Sequence, residues 1–443
     1  MTVTTRFAPS PTGRLHVGNI RTALHNALFA QANSGKFLLR IDDTDAERSS
    51  EAFAAAIHAD LAWLGLTPDA VVRQSDRFDL YERDFERLKA AGRVYACYET
   101  PDELDLRRKV LLGRGLPPVY ERKGADARVP EGVAPHWRFK LDHQAPIEWD
   151  DLVRGHQKFE PSLISDPVIR RADGSWLYLL PSVIDDIDLA ITHIVRGEDH
   201  VSNSATQIQM FDALGAAPPH FAHEALLVAG GSEGSGGKLS KRLGSTGVDG
   251  LREAGIEPLA LLSMLARLGT SQPVEPRTSL AALAEGFDFA TFGRAPAHFD
   301  LAEVEQLNAK LLHLTDHADV ADRLPAGTSA ADWDALRGNV AHLGEVAPWL
   351  TVLHGDIAPP IVVPDDKPLL RQAAEIAASL DWDDAPWRQL TDTLKQASGR
   401  KGRSLFHPLR LALTGRDSGP EMAAMLPLIG RDRTIARLHQ AAL

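Results

Sequence analysis

Cysteine and long apolar segments are what this sequence most clearly lacks. Its 443 residues contain one cysteine, Cys97, which excludes a disulfide within the chain and any zinc site built from several cysteines. No apolar run is long enough to cross a bilayer, and no apolar signal segment follows Met1. We therefore expect a cytoplasmic protein that needs no zinc, holds no resident metal and binds no membrane.

A net positive charge is also missing, since the formal net charge is −12 at pH 7. This argues against indiscriminate binding of nucleic acid, but local patches rather than the total charge set the field at a contact. One basic patch follows Cys97, and a second lies in residues 395–416, where no acidic residue occurs. Each patch has two open interpretations, a solvated face and an RNA-binding surface. Their members are Arg107, Arg108, Lys109, Arg114, Arg122, Lys123 and Arg128, then Lys395, Arg400, Lys401, Arg403, Arg410 and Arg416.

Strands and helices alternate over the first 75 residues. A strand around Arg6 ends at a Pro-Ser-Pro-Thr-Gly turn, and the helix that follows has an apolar face over residues 20–28. Residues 36–41 predict a buried strand, and Ser49 or Ser50 caps the next helix. This alternation predicts a parallel sheet covered by helices, with ligands at the carboxyl ends of the strands.

The remaining sequence predicts a multidomain protein, because 443 residues exceed one compact core. Residues 76–170 have the short strands and breaks of an inserted domain. The α/β pattern resumes with predicted strands at 176–180 and 191–195 and a helix at 202–214, and beyond Pro258 the pattern is helical. We predict an α/β fold with a Rossmann-type parallel sheet, an inserted connective domain and an all-α C-terminal region. The predicted boundaries are 1–75 and 171–229 for the Rossmann halves, 76–170 for the insert, 230–300 for a glycine-rich loop and following helices, and 301–443 for the helical domain.

Two short motifs predict an ATP site. In the first, His16 and Gly18 stand where a helix begins just after a strand, and free backbone N–H groups there suit a phosphate. In the second, Lys238, Lys241 and Arg242 follow a glycine-rich segment and could neutralise a polyphosphate. That segment is not a P-loop, since Ser232 replaces the first glycine and Leu239 replaces the magnesium-binding Ser or Thr.

The predicted sheet edge also carries groups that suit an amino acid with two carboxylates. Arginine binds carboxylates through a planar fork, and Arg6 and Arg196 both lie at strand ends. Asp42 is placed to bind an ammonium, and Tyr178 can donate a hydrogen bond. Surface ion pairs and a helix cap are the competing interpretations, and we expect Asp43 to be structural.

The segment Arg6–Asn19 at a predicted strand-to-helix junction, together with the distant segment Leu239–Arg242, resembles the two signature motifs of the class I aminoacyl-tRNA synthetases. The longer pattern within Arg6–Asn19 resembles the bacterial-type glutamyl-tRNA synthetases of that class. The resemblance covers nearly the whole chain, and the helical C-terminal region differs from the β-barrels of the glutaminyl relatives. Truncated paralogues that glutamylate a tRNA base lack this region. The matching segments are Arg6–Asn19, Leu39–Asp45, Trp63–Leu66, Gln74-Ser75, Val183–Asp186, Val195-Arg196, Leu239–Arg242, Phe299-Asp300 and Pro408–Gly415.

The resemblance implies roles for individual residues. Glutamate would be bound by Arg6, Ala8, Ser10, Asp42, Tyr178, Ser182 and Arg196. ATP would be bound by Pro9, His16, Gly18, Asn19, Asp199, Leu227, Lys238, Leu239, Ser240, Lys241 and Arg242, with His16, Gly18, Lys238 and Lys241 acting in catalysis. The tRNA would contact Arg400, Lys401, Arg403 and Arg410. Asp42 and Ser182 depart from the Glu and Asn usual in the family.

The resemblance implies a monomeric glutamate–tRNA ligase that uses ATP with Mg²⁺. It would form glutamyl-adenylate and transfer glutamate to the 3′-terminal adenosine of tRNA. Three alternatives stay open: charging of glutamine tRNA as well, a nucleotidyltransferase of the same fold, and a tRNA-binding paralogue without activity. The large helical region opposes the second alternative, and retention of His16, Gly18 and Lys241 opposes the third.

Overall fold

The computed structural model describes residues 2–45, 47–122, 131–229, 247–382 and 385–443. The chain divides into two compact units. Unit 1 contains Met1–Ala254 and Leu261–Leu301, and unit 2 contains Gly255–Ala260 and Ala302–Leu443. None of the described helices has both the length and the apolar character that a membrane span requires.

The strands of unit 1 form small parallel and antiparallel sheets. Parallel pairing gives the order β1-β2-β3, and separate parallel pairs join β9 to β10 and β11 to β12. Antiparallel pairing gives β4-β5-β8 and the hairpin β6-β7. The strands are β1 (Thr4–Phe7), β2 (Lys36–Ile41), β3 (Ala70–Arg73), β4 (Val94–Cys97), β5 (His136–Phe139), β6 (Ile147–Asp151), β7 (Gly155–Phe159), β8 (Val168–Arg170), β9 (His193–Gly197), β10 (His220–Glu224), β11 (Leu227–Ala229) and β12 (Ala297–Phe299).

Helices cover these strands in unit 1 and make up most of unit 2. Those in or reaching into unit 1 are α1 (Val17–Ala32), α2 (Glu51–Trp63), α3 (Phe78–Ala90), α4 (Pro101–Gly113), α5 (Leu179–Asp188), α6 (Val201–Ala213), α7 (Val248–Glu253), α8 (Pro258–Arg267) and α9 (Leu280–Ala284). Those that follow are α10 (Leu301–Leu314), α11 (His317–Val320), α12 (Ala330–Leu336), α13 (Val346–His354), α14 (Lys367–Ser379), α15 (Pro386–Ser398), α16 (Arg403–Thr414), α17 (Met422–Ile429) and α18 (Arg431–Ala441).

The two parallel arrangements meet between β1 and β9. The backbone N–H of Thr192 donates to the Thr4 carbonyl at 3.0 Å, and the Thr4 N–H donates to the Thr192 hydroxyl at 2.8 Å. Since β1 and β9 belong to the two halves of the sheet, their carboxyl ends open at the point where the strand order reverses. In α/β sheets that point is where ligands bind.

The first αβ units form as the sequence predicts. The strand at Lys36–Ile41 is buried except at its first residue, and the Ser50 hydroxyl caps α2 by accepting from the Phe53 N–H. Gly65 ends that region with a φ of +71°, which glycine adopts without strain. The third strand, β3, was not predicted, because Ala70–Arg73 is half exposed and only four residues long.

The predicted strand at 176–180 is wrong. Residues Leu179–Asp188 form α5, and only an isolated bridge joins Trp176 to Arg170. The apolar run Leu179-Leu180 resembles a buried strand, but Val183 and Ile184 continue it with helical spacing and are also buried. The insert likewise contains two helices, α3 and α4, besides its short strands.

Candidate active site

A cavity of about 480 Å³ opens at the carboxyl ends of β1, β9 and β10. It is bounded by the segment after β1, the start of α1, the end of β2 and the residues that follow β10. Predicted site residues that line it are Arg6, Ala8, Pro9, Ser10, His16, Gly18, Asn19, Asp42, Tyr178, Arg196, Asp199 and Leu227. One sheet edge thus brings together groups that are up to 221 residues apart (Arg6 to Leu227).

Among the predicted glutamate- and ATP-binding residues that the structure describes, one, Ser182, does not line this cavity. Ser182 is fully buried behind its wall, where its hydroxyl accepts from Arg40 Nη2 at 3.2 Å. Ser182 therefore reaches the cavity only through Arg40, which corrects the expectation of direct contact. The loop residues Lys238, Leu239, Ser240, Lys241 and Arg242 lie outside the described residues.

His16 is the N-cap of α1. Its Nδ1 accepts from the backbone N–H groups of Gly18 at 3.1 Å and Asn19 at 3.3 Å. The sequence predicted that these N–H groups are free to bind a phosphate. That prediction is wrong for Gly18 and Asn19, because the imidazole already accepts from both. Desolvation lowers the pKa of His16, so the ring is neutral at pH 7 and its proton lies on Nε2. That proton is the donor that His16 can offer to a phosphate oxygen.

Arg6 and Arg40 are buried and paired with acidic groups. Arg6 Nε donates to Asp186 at 3.1 Å, and Arg40 Nη1 donates to the same carboxylate at 2.8 Å. Arg40 also binds Asp42 through Nε at 2.6 Å and Nη2 at 3.1 Å. Burial raises the pKa of Asp42 to about 6, although the Arg40 guanidinium opposes this shift.

Arg196 differs from both, since all its hydrogen-bond partners among the described residues are neutral. Its Nη1 donates to the Tyr178 hydroxyl at 3.0 Å, and its Nη2 donates to Ser204 and, at 2.7 Å, to Gln207 Oε1. Burial lowers the pKa of this guanidinium. Burying an unpaired charge is costly, so a cation that pairs with no carboxylate among the described residues favours an anionic ligand in the cavity that it lines.

Residues 2–294 match the family described as "tRNA synthetases class I (E and Q), catalytic domain", and residues 360–442 match "Anticodon binding domain". The chain belongs to this class I synthetase family. Its relatives include "Glutamate--tRNA ligase 2" of Sphingopyxis alaskensis, 67% identical over 100% of this chain and 99% of that protein. "Glutamate--tRNA ligase 1" of Rhizorhabdus wittichii is 60% identical over 99% and 100%.

Solved structures are also similar to this synthetase over its full length. A crystal structure of a glutamate tRNA ligase from Elizabethkingia meningosepticum has a TM-score of 0.83 at 27% identity, covering 100% of this chain and 99% of that one. The likeness confirms the predicted fold class, a parallel α/β sheet followed by a helical C-terminal region.

Sequence reasoning missed several side chains that line the cavity of the synthetase. Arg40 is one, although an arginine inside a buried apolar strand was a usable signal. Glu224 is another: it forms a short hydrogen bond with His25, while His25 Nε2 lies 3.0 Å from the Leu265 carbonyl. No local pattern pointed to Glu224, because its partner lies 199 residues away. Arg21, Thr22 and His200 are the other polar side chains among the described residues that line the cavity and were not predicted.

Asp43 has the structural role that we expected. Its carboxylate accepts from Arg73 Nη2 at 2.9 Å and from the backbone N–H and hydroxyl of Ser75, both at 2.8 Å. These bonds tie the end of β2 to the end of β3. Asp43 thereby holds the segment on which Asp42 faces the cavity.

Cys97 has potential metal-ligating neighbours that the sequence did not reveal. Its thiol lies with donor atoms of Glu99 and His136 within 4.8 Å of one another, because β4 and β5 pair Cys97 with His136. The Tyr120 hydroxyl lies among them, 3.4 Å from Sγ and 3.0 Å from Glu99. Burial raises the pKa of the Cys97 thiol, and three donors are fewer than a closed zinc site uses. The absence of zinc stays a prediction.

The basic patch in unit 2 contains both paired and exposed members. Arg400 binds the Asp366 carboxylate and the Asp365 carbonyl, and Arg410 donates to the Pro420 carbonyl at 2.9 Å. Lys401 and Arg403 are exposed. Of the four predicted tRNA contacts, the latter two are therefore the ones that face solvent.

Proposed function

We propose that this synthetase attaches glutamate to tRNA in two steps. It first joins glutamate to ATP as glutamyl-adenylate, releasing pyrophosphate, and then transfers the glutamyl group to the 3′-terminal adenosine. Arg196 carries this proposal, since its buried guanidinium faces the cavity and its partners among the described residues are neutral groups. The names of the relatives that match the full chain support the same activity.

The amino-acid subsite uses charge of both signs. Arg196 binds one substrate carboxylate through the second Nη1 hydrogen, which has no partner among the described residues, and the Tyr178 hydroxyl, which accepts from Nη1, donates its own proton to the same carboxylate. Arg6 contributes positive potential, partly neutralised by Asp186. Asp42 faces the substrate ammonium while Arg40 holds its carboxylate in place. Ala8 and Ser10 line the same wall.

The nucleotide subsite lies at the start of α1. His16 donates from Nε2 to a phosphate oxygen, and Gly18 leaves room for the imidazole. Pro9, Asn19, Asp199 and Leu227 line the same cavity. Lys238 and Lys241 would neutralise the reacting phosphorus and the departing pyrophosphate, with Leu239, Ser240 and Arg242 beside them. Magnesium would supply charge neutralisation when ATP binds, and the exposed carboxylate of Asp199, which lines the cavity, would be available to hold it.

Catalysis requires no covalent enzyme intermediate. The glutamate carboxylate attacks the α-phosphorus in line, and pyrophosphate leaves from the opposite side. The protein contributes positioning and stabilisation of the developing negative charge. A cavity with fixed arginines and a neutral histidine donor supports both.

We extend the proposal to the domains predicted from sequence. Residues 1–75 and 171–229 form the catalytic halves, the insert 76–170 receives the tRNA acceptor end, and 230–300 supply the lysine loop and stem contacts. The helical residues 301–443 read the anticodon. The synthetase acts as a monomer in the cytoplasm, where tRNA is charged.

A charging assay with purified tRNAs tests this function. The full chain, ATP, magnesium and glutamate should yield glutamyl-tRNA from a glutamate tRNA transcript. A glutamine tRNA transcript distinguishes a discriminating from a non-discriminating enzyme, and ATP–pyrophosphate exchange with and without tRNA separates activation from transfer. If neither transcript is charged and no exchange occurs, the proposed function is wrong.

Glutamate binding is expected to weaken as the pH falls through about 6, the raised pKa of Asp42. The substrate ammonium needs the ionised carboxylate, and its ionised fraction falls about tenfold for each pH unit below the pKa. Glutamate KM in the charging reaction should therefore rise between about pH 7 and about pH 5. ATP KM should stay constant, because Asp42 does not face the nucleotide.

Folding stability depends on pH in the opposite direction from glutamate binding. The raised pKa of Asp42 means that the ionised carboxylate is disfavoured in the folded state. The stabilising contribution is fully present below the ordinary value of 3.8 and is lost as the pH rises to about 6. Asp42→Asn is the control: its glutamate KM should be high and independent of pH. A wild-type KM that does not respond to pH would exclude Asp42 as the ammonium partner.

The exposed pair Lys401 and Arg403 is expected to contribute to the salt dependence of tRNA binding. Each phosphate contact releases counterions, so Lys401→Ala with Arg403→Ala should flatten the log–log slope by up to about two units. Glutamate and ATP KM should stay unchanged in this double variant.

Arg400→Ala provides the matched comparison, since Arg400 is bound to Asp366. This substitution should lower the thermal stability of unit 2 and leave the salt-dependence slope of tRNA binding nearly unchanged. If the double variant binds tRNA with unaltered affinity and slope, Lys401 and Arg403 are merely solvated, and the first basic patch becomes the candidate surface.

A further inference from the structure

A line of buried side chains joins Arg196 to a carboxylate in the insert. Arg196 Nη2 donates to Ser204 Oγ, which lies 2.8 Å from His223 Nε2. His223 Nδ1 lies 2.5 Å from Asp151 Oδ2. Ser204, His223 and Asp151 are almost completely buried. Asp151 ends β6, so the β6-β7 hairpin reaches the wall behind the amino-acid subsite.

The hydrogen atoms along this line point in one direction. Burial alone would raise the pKa of Asp151, but hydrogen bonds from the His223 side chain and from backbone N–H groups hold that pKa below its ordinary value. The carboxylate accepts from the N–H groups of His223 at 3.1 Å and Arg154 at 2.9 Å. It is therefore ionised and places the imidazole proton on Nδ1.

The other imidazole nitrogen then acts as an acceptor. Burial lowers the pKa of His223, so the ring is neutral and its Nε2 has a free electron pair. Nε2 accepts from the Ser204 hydroxyl and faces Arg196 Nε at 3.4 Å. The Ser204 oxygen in turn accepts from Arg196. Each donor in the line meets an acceptor.

We propose that Asp151, His223 and Ser204 are positioning residues that hold the Arg196 guanidinium ready for a substrate carboxylate. The inference rests on the proposed function and specifies which residues fix the orientation of Arg196 in the amino-acid subsite. Ser204 is not a nucleophile, although an Asp-His-Ser line resembles a hydrolase triad. Its hydroxyl is 0% exposed, and its oxygen already binds Arg196.

We call the line of Asp151, His223 and Ser204 the relay. A direct ion pair between Arg196 and a protein carboxylate would take up donors that the substrate carboxylate needs, and the relay avoids this. Arg6 and Arg40 donate directly to the Asp186 carboxylate, which occupies part of each guanidinium. The Asp151 charge lies two side chains from Arg196 and stabilises the cation without itself occupying a guanidinium N–H. Gln207 accepts from Nη2 and Tyr178 accepts from Nη1, both through neutral oxygens, and the second Nη1 hydrogen has no partner among the described residues. Arg196 is thus held in place and still able to bind an anion.

Asp151→Asn is the decisive variant. The asparagine amide can donate to His223 Nδ1, which moves the imidazole proton to Nε2 and leaves the Ser204 hydroxyl facing a donor. We expect glutamate KM in the charging reaction to rise about 10- to 100-fold, the effect of leaving one buried polar group unsatisfied. ATP KM should change by less than about twofold, since no member of the relay contacts the nucleotide subsite.

Asp166→Asn is the matched control. Asp166 is as buried as Asp151, lies in the same insert and accepts from Arg122, Tyr95 and the Leu141 N–H. None of these partners lines the cavity. This variant should lose thermal stability without changing glutamate KM. Ser204→Ala tests the same line with a smaller change, should Asp151→Asn fold poorly, and should also raise glutamate KM selectively.

The outcomes separate the two claims. If the wild-type chain charges tRNA but Asp151→Asn and Ser204→Ala leave glutamate KM unchanged, or alter both substrates equally, the relay is structural only and the inference is wrong. If the wild-type chain charges no tRNA, the proposed function itself fails. A selective rise in glutamate KM in both variants, absent from Asp166→Asn, supports the relay.

Discussion

Arg196→Lys is expected to lower kcat/KM for glutamate roughly 30- to 1,000-fold, which corresponds to a loss of about 2–4 kcal/mol in transition-state stabilisation. Lysine keeps the positive charge but has one nitrogen in place of the planar fork. Its three N–H donors cannot serve Tyr178, Ser204 and Gln207 and also bind a substrate carboxylate. The buried oxygens that arginine satisfied would lose their donor. Charging rates measured against glutamate concentration, with ATP saturating, provide the test.

Arg6→Lys provides the comparison within the same cavity. Arg6 bonds to Asp186 through Nε and Nη2 at 3.1 and 3.5 Å, and a lysine can keep that ion pair. We therefore expect a clearly smaller loss than in Arg196→Lys. Equal losses in both variants would mean that the two arginines share the substrate carboxylates, and no loss in either would place the carboxylate receptor elsewhere.

Local sequence patterns predicted the elements that carry the site. The helix after His16, the strand at Lys36–Ile41 and the helix after Ser50 each had an unambiguous period and a local stop or cap. The strand predicted at 176–180 failed because the short run Leu179-Leu180 does not distinguish a strand from the first turn of a helix. Tertiary packing of Val183 and Ile184 decided between them.

The location of site residues was predictable where the residue type and its place at the end of a strand or the start of a helix agreed, and Arg196 and His16 both line the cavity. Their roles stay predictions. Sequence could not show how these groups are divided between substrate and protein. Arg6 engages Asp186, and Arg40 engages both Asp186 and Ser182, because the fold supplies these two residues from a helix far along the chain. Such pairings depend on contacts between distant segments, and a one-dimensional pattern does not contain them.

Gly18→Ala is expected to reduce charging by about 2–4 kcal/mol in transition-state stabilisation, the scale of losing one preorganised donor. A Cβ at this position would lie 2.9 Å from His16 Cε1 and 3.0 Å from Nδ1. The imidazole would have to rotate away, losing the hydrogen bonds that it accepts from the Gly18 and Asn19 N–H groups. Its Nε2 would then no longer face the phosphates. Rates of adenylate formation at varied ATP concentration would measure this loss.

The free energy of unfolding of Gly18→Ala should hardly change, which separates this prediction from simple misfolding. Alanine favours a helix by roughly 0.8–1 kcal/mol over glycine, and that gain offsets the lost cap of about 1 kcal/mol. Gly13→Ala is the matched control, because a Cβ there meets nothing within 4 Å, and it should charge tRNA at nearly the wild-type rate. A Gly18→Ala enzyme with normal ATP kinetics would show that the His16 cap geometry does not serve phosphate binding, and the catalytic role of His16 would then have to be abandoned.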